Sequence, residues 1–222
     1  MKKIKVLNLY ACLGGNRYKW DEVTDIEVTA VEWDEELARL YQERFPNDKV
    51  IVADAHQYLL DHYKEFDFIW TSPPCPTHSR IRYVNSKAEM YNRGKLDVVY
   101  PDMKLYQEII LLDKYFEGKY VVENVIPYYE PLIPAKKRGR HLYWTNFNLP
   151  NVLSERKVLI RGSKDDMKNL SEFHDYDFTK YKGKQRRDKI SRNLVDYEAG
   201  KTIFEVAMNL YKGQHTNQLE LL

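Results

Sequence analysis

One cysteine in this sequence stands where a nucleophile is expected. The apolar run Phe66–Trp70 predicts a short buried strand, and Pro73 and Pro74 end it because proline donates no hydrogen bond to a sheet. Cys75 follows at once, and ligands of open α/β sheets bind beyond the carboxyl ends of the strands. A thiol on this stiff backbone is therefore placed to attack a substrate. The alternative is a small buried cysteine without chemistry, which fits less well with the polar Thr77–Arg80 that follow.

The first predicted strand leads into a turn that suits a nucleotide. Ile4–Tyr10 is the strand, and the turn Ala11–Asn16 contains paired glycines that let the backbone approach a ligand closely. The second strand, Glu27–Glu32, ends in a carboxylate that can accept both hydroxyls of a ribose. Asp34 suits the N-cap of the helix that follows. The glycine pair alone is a weak signal, because such turns are common.

Two further strands end in acidic residues. Val50–Ala53 is followed by Asp54, which is either an acceptor for an adenine amino group or a turn residue. Tyr120–Val125 carries Glu123 among apolar neighbours, where a charge is costly unless it is paired or used. Because the carboxyl ends of parallel strands share one edge of a sheet, we expect these groups to face the cleft of Cys75.

Basic residues cluster in three later stretches. Pro76–Tyr100 lacks clear periodicity and predicts a mobile basic lid. Lys136–Trp144 predicts a basic run that enters a strand, with Arg140 pointing into the site; a solvated edge is the alternative. Asn151–Arg192 is polar and irregular, and its mixture of basic and aromatic residues suits phosphate contact and base stacking. Helices are predicted after Asp34, from Pro101 to Phe116 and at Gly200–Tyr211, and the tail Gln214–Leu222 looks frayed.

Composition bounds the class of protein. The 222 residues, 43% of them hydrophobic, suit one domain with one substantial core, and the net charge of +2 does not announce a nucleic-acid binder. Two cysteines give no disulfide framework, no pair has zinc spacing, and no apolar run is long enough to span a membrane. We therefore expect a cytoplasmic protein without a metal.

Taken in chain order, these residues resemble the DNA (cytosine-5)-methyltransferase family. Tyr10–Gly15 is similar to the family's F-A-G-L-G-G cofactor loop, Pro73–Cys75 with Ser79 to its P-P-C-Q-x-x-S nucleophile loop, and Glu123–Val125 to its E-N-V triplet. Arg138–Arg140 resembles its R-x-R step, and Arg192–Val195 weakly resembles its G-N-S-V segment. P-P-C followed by E-N-V is the specific part of the match.

The resemblance implies a Rossmann-like class I fold that binds S-adenosylmethionine, with a mostly parallel doubly wound α/β sheet and a small irregular lobe. It implies Cys75 as nucleophile, with Glu123, Arg140 and Ser79 assisting. The implied cofactor contacts are Tyr10, Ala11, Leu13, Gly14, Gly15, Glu32, Trp33, Asp54, Pro74 and Asn193. The expected nucleic-acid contacts are Arg80, Arg82, Lys136, Arg138, Lys182, Arg186 and Arg187.

The chain departs from the family pattern in several places. Cys12 replaces a glycine of the cofactor loop, Pro76 replaces the glutamine after the nucleophile, and Lys136 stands where the family often has glutamine. The expected organisation is a catalytic part, 1–150, a reduced target-recognition segment, 151–192, and a C-terminal part, 193–222, whose helix returns to the catalytic domain. Because the recognition segment is short, specificity is expected to be loose or supplied by a protein partner.

The implied activity is methyl transfer to carbon 5 of a flipped cytosine in DNA, as in restriction-modification or phage protection. RNA is an alternative substrate, since some members of the family act on tRNA. Thr71–Pro74 also resembles the S-P-P core of exocyclic-amino methyltransferases, although that class places an aromatic residue at the position of Cys75. A non-catalytic nucleic-acid-binding subunit that keeps the fold is the third alternative.

Overall fold

The computed structural model of the chain describes residues 3–93, 100–154 and 165–213. Within these residues, seven strands form one sheet in the order β3-β2-β1-β4-β5-β7-β6. The strands are β1 Ile4–Leu9, β2 Ile26–Glu32, β3 Lys49–Val52, β4 Phe68–Thr71, β5 Lys119–Val125, β6 Lys136–Arg138 and β7 His141–Thr145. The first five are parallel, whereas β7 runs antiparallel to both β5 and β6.

The described helices cover both faces of this sheet. They are α1 Glu35–Arg44, α2 Ala55–His62, α3 Arg80–Arg93, α4 Lys104–Tyr115, α5 Asp165–His174, α6 Arg187–Asn193 and α7 Tyr197–Ala207. One apolar core joins α2 and α4 to the sheet, and a second joins α7 to the opposite face. Helix α1 packs through Tyr41 against Ala30 of β2. Covering on both faces is what makes the buried strands of a parallel sheet continuously apolar.

The register places the functional strand ends at one edge. Leu9, at the end of β1, pairs with Val31 on one side and with Thr71 on the other. Thr71 in turn pairs with Val122, one residue before Glu123. The predicted meeting of the strand ends at one edge of a doubly wound sheet is therefore confirmed.

Two predicted local structures are wrong. Pro76–Tyr100 is predicted to be irregular, but α3 occupies much of it, and its residues Ile81 and Val84 are 74% and 61% exposed. Asn151–Arg192 contains α5 and α6 rather than irregular chain. Lys136–Trp144 contains the predicted strand as β7, and its basic residues Lys136–Arg138 form the additional strand β6, which pairs with β7 as a hairpin.

Other boundaries shift slightly. Helix α7 begins at Tyr197 instead of Gly200, because Asp196 accepts hydrogen bonds from the backbone N–H groups of Glu198 and Ala199. The predicted N-cap at Asp34 is confirmed in the same way, with bonds from Glu36 and Leu37. Residues 94–99 of the predicted lid, residues 155–164 and the predicted frayed tail lie outside the described residues. No helix in the described ranges combines the length and apolar character that crossing a membrane requires.

Candidate active site

A cleft of about 1320 Å³ lies at the carboxyl edge of the sheet. Its walls include most of the predicted cofactor contacts, Tyr10, Ala11, Gly15, Glu32, Trp33, Asp54, Pro74 and Asn193, and the proposed catalytic pair Cys75 and Glu123. Pockets for one small ligand measure roughly 300–1,000 Å³. The cleft is therefore large enough to hold a nucleoside cofactor together with a base.

The loop after β1 is held in an unusual backbone conformation. Tyr10, Cys12 and Gly14 all have positive φ, at 55°, 48° and 67°. A Cβ atom on Gly14 would lie 2.4 Å from the Phe45 ring, so this position also lacks space. Cys12 adopts the left-handed conformation that glycine adopts most easily. This conformation explains why the family pattern has a glycine at this position.

Gly15 allows two backbone segments of this chain to approach each other closely. A Cβ atom there would lie 2.6 Å from the backbone oxygen of Val195. The loop after β1 therefore contacts the segment that follows α6 directly. Leu13 and Gly14 belong to this loop but do not line the cleft. The Leu13 side chain is fully buried, and both residues determine the backbone conformation of the loop.

Glu32 connects the glycine loop to the end of β2. Its carboxylate accepts the backbone N–H of Cys12 at 2.8 Å and that of Asp34 at 3.0 Å. Burial raises the pKa of this carboxyl, although these hydrogen bonds oppose the shift. Each carboxylate oxygen can accept a second hydrogen bond, so the group remains suited to a ribose in the cleft.

Two other predicted cofactor residues lie at the same end. The indole of Trp33 is 76% exposed at the cleft wall, which leaves a flat apolar face open to a ligand. Asp54 caps α2 by accepting the N–H of Gln57 at 3.0 Å, and that bond holds the pKa of its carboxyl below the usual range. The observed role of Asp54 is thus that of a helix N-cap, and the adenine contact stays a prediction.

Cys75 and Glu123 come from neighbouring strands and share one cavity. Cys75 is half-buried, and Glu123 is buried near the end of β5. Burial raises the pKa of the Cys75 thiol, the Glu123 charge raises it further, and Lys189 of α6 opposes both effects. These surroundings therefore favour the neutral thiol of Cys75 over its thiolate.

The nucleophile loop is fastened to the loop after β5. The Asn124 side chain donates to the carbonyl of Pro73 at 3.0 Å, and Arg80 donates to the carbonyl of Pro127 at 2.8 Å. Ser79 forms an isolated bridge with Pro127, and its N–H bonds the Cys75 carbonyl at 3.0 Å. Ser79 lies outside the cleft wall, so its catalytic role stays a prediction while its structural role is visible.

The structure places His141, and not Arg140, beside Glu123. Arg140 is exposed in the turn between β6 and β7, because β7 begins at His141. The His141 Nε2 atom lies 3.6 Å from an oxygen of Glu123. The predicted inward position of Arg140 is wrong in this structure, and its contact with a base stays a prediction.

The predicted nucleic-acid contacts all lie outside the cleft wall. Arg80 and Arg82 are exposed at the start of α3, while the Lys136 ammonium donates to the carbonyls of Thr145 and Phe147. Arg138 donates to the carbonyls of Leu149 and Pro150. Phosphate contact by Lys136 or Arg138 would require these bonds to be exchanged, so their observed role is structural.

The remaining three predicted contacts lie on or next to α6. Lys182 is exposed, and Arg186 and Arg187 are exposed with their guanidinium groups bonded to Asp188 and to the Tyr181 carbonyl. Their phosphate contacts stay predictions.

The segment that contains α5 and α6 closes the cofactor end of the cleft. Its residues Phe178, Tyr181 and Ile190 pack with Leu37 of α1 in one apolar cluster. The Tyr181 hydroxyl also donates to Asp34 at 2.8 Å. The described part of the predicted recognition segment therefore forms a wall of the cofactor pocket.

Sequence reasoning did not select His141 or Lys189, which both line the cleft. His141 carried a signal, since it directly follows the R-x-R step. Lys189 had none beyond its place in a basic stretch, because its position depends on how α6 packs across the sheet edge.

The strand order, the antiparallel β7 and the cleft at the carboxyl edge define a Rossmann-like class I methyltransferase fold. The family model described as C-5 cytosine-specific DNA methylase matches residues 4–125, more than half of the chain. The chain belongs to the C-5 cytosine-specific DNA methylase family. A search of curated proteins returned no match.

Several solved structures are similar to part of this chain. A triple mutant of Spodoptera frugiperda DNMT2 is 25% identical over 55% of this chain and 36% of its own, with a TM-score of 0.37. Entamoeba histolytica methyltransferase EhMeth is 16% identical over 56% and 39%, with a TM-score of 0.35. A SAM-dependent methyltransferase from Agrobacterium tumefaciens is 15% identical over 58% and 40%, with a TM-score of 0.39. The chain thus spans about four tenths or less of the length of these proteins.

Proposed function

We propose that the chain is an S-adenosylmethionine-dependent DNA (cytosine-5)-methyltransferase in which Cys75 forms a transient covalent bond to the base. The observation that carries this proposal is the shared cavity of Cys75 and Glu123, which also contains the glycine loop and Glu32. A nucleophile, a carboxylate and a nucleoside-sized pocket in one cleft are the parts that this reaction needs. Membership of the family supports the choice of carbon 5.

The cofactor end has the chemistry that S-adenosylmethionine requires. Glu32 offers carboxylate oxygens to the ribose hydroxyls, and the exposed Trp33 offers an aromatic face to the adenine. Asp54 lies on the same wall as an acceptor for the adenine amino group. The acidic lining also suits the positive charge of a sulfonium. When bound, this cofactor supplies an electrophilic methyl group.

Cys75 opens the reaction on the base. Its thiolate adds to carbon 6 of cytosine, and the π electrons of the carbon 5–carbon 6 bond move into the ring and make carbon 5 nucleophilic. Carbon 5 would then take the methyl group that the bound cofactor supplies. Loss of the carbon 5 proton to solvent would expel Cys75 and restore the double bond, so that the products besides 5-methylcytosine would be S-adenosylhomocysteine and a proton.

Glu123 assists the addition from the next strand. Hydrogen bonds from this group to the ring nitrogen and the amino group offset the charge that develops during attack. His141, 3.6 Å from Glu123, is placed to hold that side chain in position. Burial and the Glu123 charge raise the pKa of the Cys75 thiol, and Lys189 opposes them and favours the thiolate that attacks the base.

A cytosine in duplex DNA must leave the stack to reach this cleft, at a cost of a few kcal/mol. Arg80 and Arg82 on α3, together with Lys182, Arg186 and Arg187, are proposed to offset that cost through phosphate contacts. Target recognition by the segment 151–192, or by a protein partner, belongs to the same proposal.

Covalent trapping tests this function directly. Duplex DNA containing 5-fluorocytosine, incubated with the protein and S-adenosylmethionine, should give an adduct that survives denaturation, with the DNA attached to the peptide of Cys75. Mass spectrometry of digested normal DNA should show 5-methylcytosine. Product methylated on the exocyclic amino group, or no product and no adduct with either DNA or tRNA, would contradict the proposal. Transfer to tRNA alone would replace DNA as the substrate and leave the mechanism standing.

A further inference from the structure

A buried glutamate on α4 connects both halves of the cleft. Glu108 is fully buried, and its carboxylate accepts hydrogen bonds from the Tyr10 hydroxyl at 2.6 Å and from the Thr71 hydroxyl at 2.6 Å. The His56 Nδ1 atom lies 3.0 Å from the same group. A buried carboxylate is strongly unfavourable without such partners, so these four side chains form one unit.

The partners of Glu108 come from the elements that carry the site. Tyr10 directly follows β1 and opens the cofactor loop. His56 lies in the first turn of α2, behind Asp54, and Thr71 is the last residue of β4, four positions before Cys75. The Glu108 carboxylate therefore holds the cofactor loop through Tyr10 and the start of the nucleophile loop through Thr71.

Tyr10 is the partner of Glu108 for which both the residue type and the backbone conformation indicate a positioning role. Its φ of 55° is rare for a residue with a large side chain, because the left-handed conformation crowds the Cβ atom. Such a conformation persists only when the surroundings enforce it, and the hydroxyl bond to Glu108 does so. The related cofactor loop F-A-G-L-G-G has phenylalanine at this position, which could not make that bond.

We propose that Glu108 is a positioning residue that sets the cofactor loop against the nucleophile loop, through Tyr10 and Thr71. This inference rests on the proposed function of the cleft. Glu108 itself touches neither substrate nor cofactor, since it lies behind the two residues that it holds. Its loss should therefore disturb cofactor binding and thiol reactivity together, whereas the loss of one partner should disturb one of them.

Three variants separate these effects. Tyr10→Phe keeps the ring and should weaken S-adenosylhomocysteine binding roughly tenfold, while iodoacetamide alkylation of Cys75 stays within about twofold of wild type. Thr71→Val should change the alkylation rate roughly fivefold or more and leave the binding constant alone. Glu108→Gln should change both, because an amide supplies one acceptor oxygen where the carboxylate supplies two.

The readouts are a titration calorimetry Kd for S-adenosylhomocysteine, the alkylation rate of the Cys75 peptide and the melting temperature. Glu117→Gln, at an exposed position just after α4, is the matched control. Glu108→Asp keeps the charge and should fall between wild type and Glu108→Gln. If Glu108→Gln does not fold, Tyr10→Phe and Thr71→Val still decide the matter.

A Glu108→Gln protein with a lower melting temperature but wild-type Kd and alkylation rate would overturn the inference, as would Tyr10→Phe and Thr71→Val with no selective effect. Failure of the proposed function is distinguishable. If the wild-type protein binds S-adenosylhomocysteine and the variants show the expected pattern, yet no base is methylated, the proposed function is wrong and the positioning role stands. If the wild-type protein does not bind S-adenosylhomocysteine, both proposals are wrong.

Discussion

The two ends of the cleft are built differently. At the cofactor end, Glu32 accepts backbone N–H groups, Gly15 contacts backbone, and α6 closes the wall through buried apolar side chains. At the other end, Cys75 and Glu123 share the cavity with Lys189 of α6, and α3, which begins at Arg80, exposes its apolar residues Ile81 and Val84. The first end is closed by contacts within the chain, whereas the second is the end at which we propose that a nucleic acid binds.

The largest test of this contrast is Cys75→Ser. Methyl transfer should fall at least about a thousandfold, because a serine hydroxyl is a far weaker nucleophile, while the Kd for S-adenosylhomocysteine stays at its wild-type value. Calorimetry and a methyl-transfer assay on the same preparation measure both. Equal loss of cofactor binding would show that the two ends are not separate.

Glu123→Gln should separate thiol reactivity from turnover. Turnover should fall about a hundredfold, since one group that offsets developing charge is lost. Alkylation of Cys75 by iodoacetamide at pH 8 should rise, because the Glu123 charge raises the thiol pKa and its removal increases the thiolate fraction. Glu117→Gln is the control, and an unchanged or slower alkylation in Glu123→Gln would place this carboxylate away from the sulfur.

The pH profile of the unliganded protein follows from the same shift. Burial and Glu123 raise the pKa of Cys75, so its alkylation rate should climb through neutrality and level off only above the ordinary thiol value of about 8.5. Peptide mapping across a pH series reports this residue alone. A plateau below pH 8 would contradict a raised pKa of Cys75.

Gly15→Ala tests the closed wall of the cofactor end. The added Cβ would meet the Val195 backbone at 2.6 Å, so the wall must move, at a cost of about 1–3 kcal/mol in stability. Cofactor affinity should fall with it, as measured by calorimetry and thermal unfolding. Gly213→Ala is a matched control, because its Cβ would meet only the movable end of the Tyr211 side chain.

The smallest expected effect concerns phosphate contacts. Arg82→Gln should reduce the salt dependence of duplex DNA binding by about one unit in the log–log slope. Arg186→Gln should reduce it less, because this guanidinium is bonded to Asp188. Fluorescence anisotropy between low and moderate salt measures both slopes. The reverse ranking would move the nucleic acid towards α6.

The sequence predicts the residues at the strand ends well, and it predicts poorly which other residues line the cleft. Buried parallel strands are apolar runs, so Glu32, Cys75 and Glu123 follow recognisable signals and must meet at one edge. His141 depends on a hairpin turn, where a shift of one residue moves a side chain to the other face. Lys189 depends on the packing of a short helix against distant residues, which no local pattern reports.

The contact of Trp20, which lies between β1 and β2, with α7 has a consequence for biosynthesis. The indole of Trp20 donates to the carbonyl of Gly200, a partner 180 residues away along the chain. At about 5–20 residues per second, a ribosome needs roughly 10–40 s to produce the second partner after the first. The nascent polypeptide therefore carries the sheet's first strands for that interval without the helix that covers one of their faces.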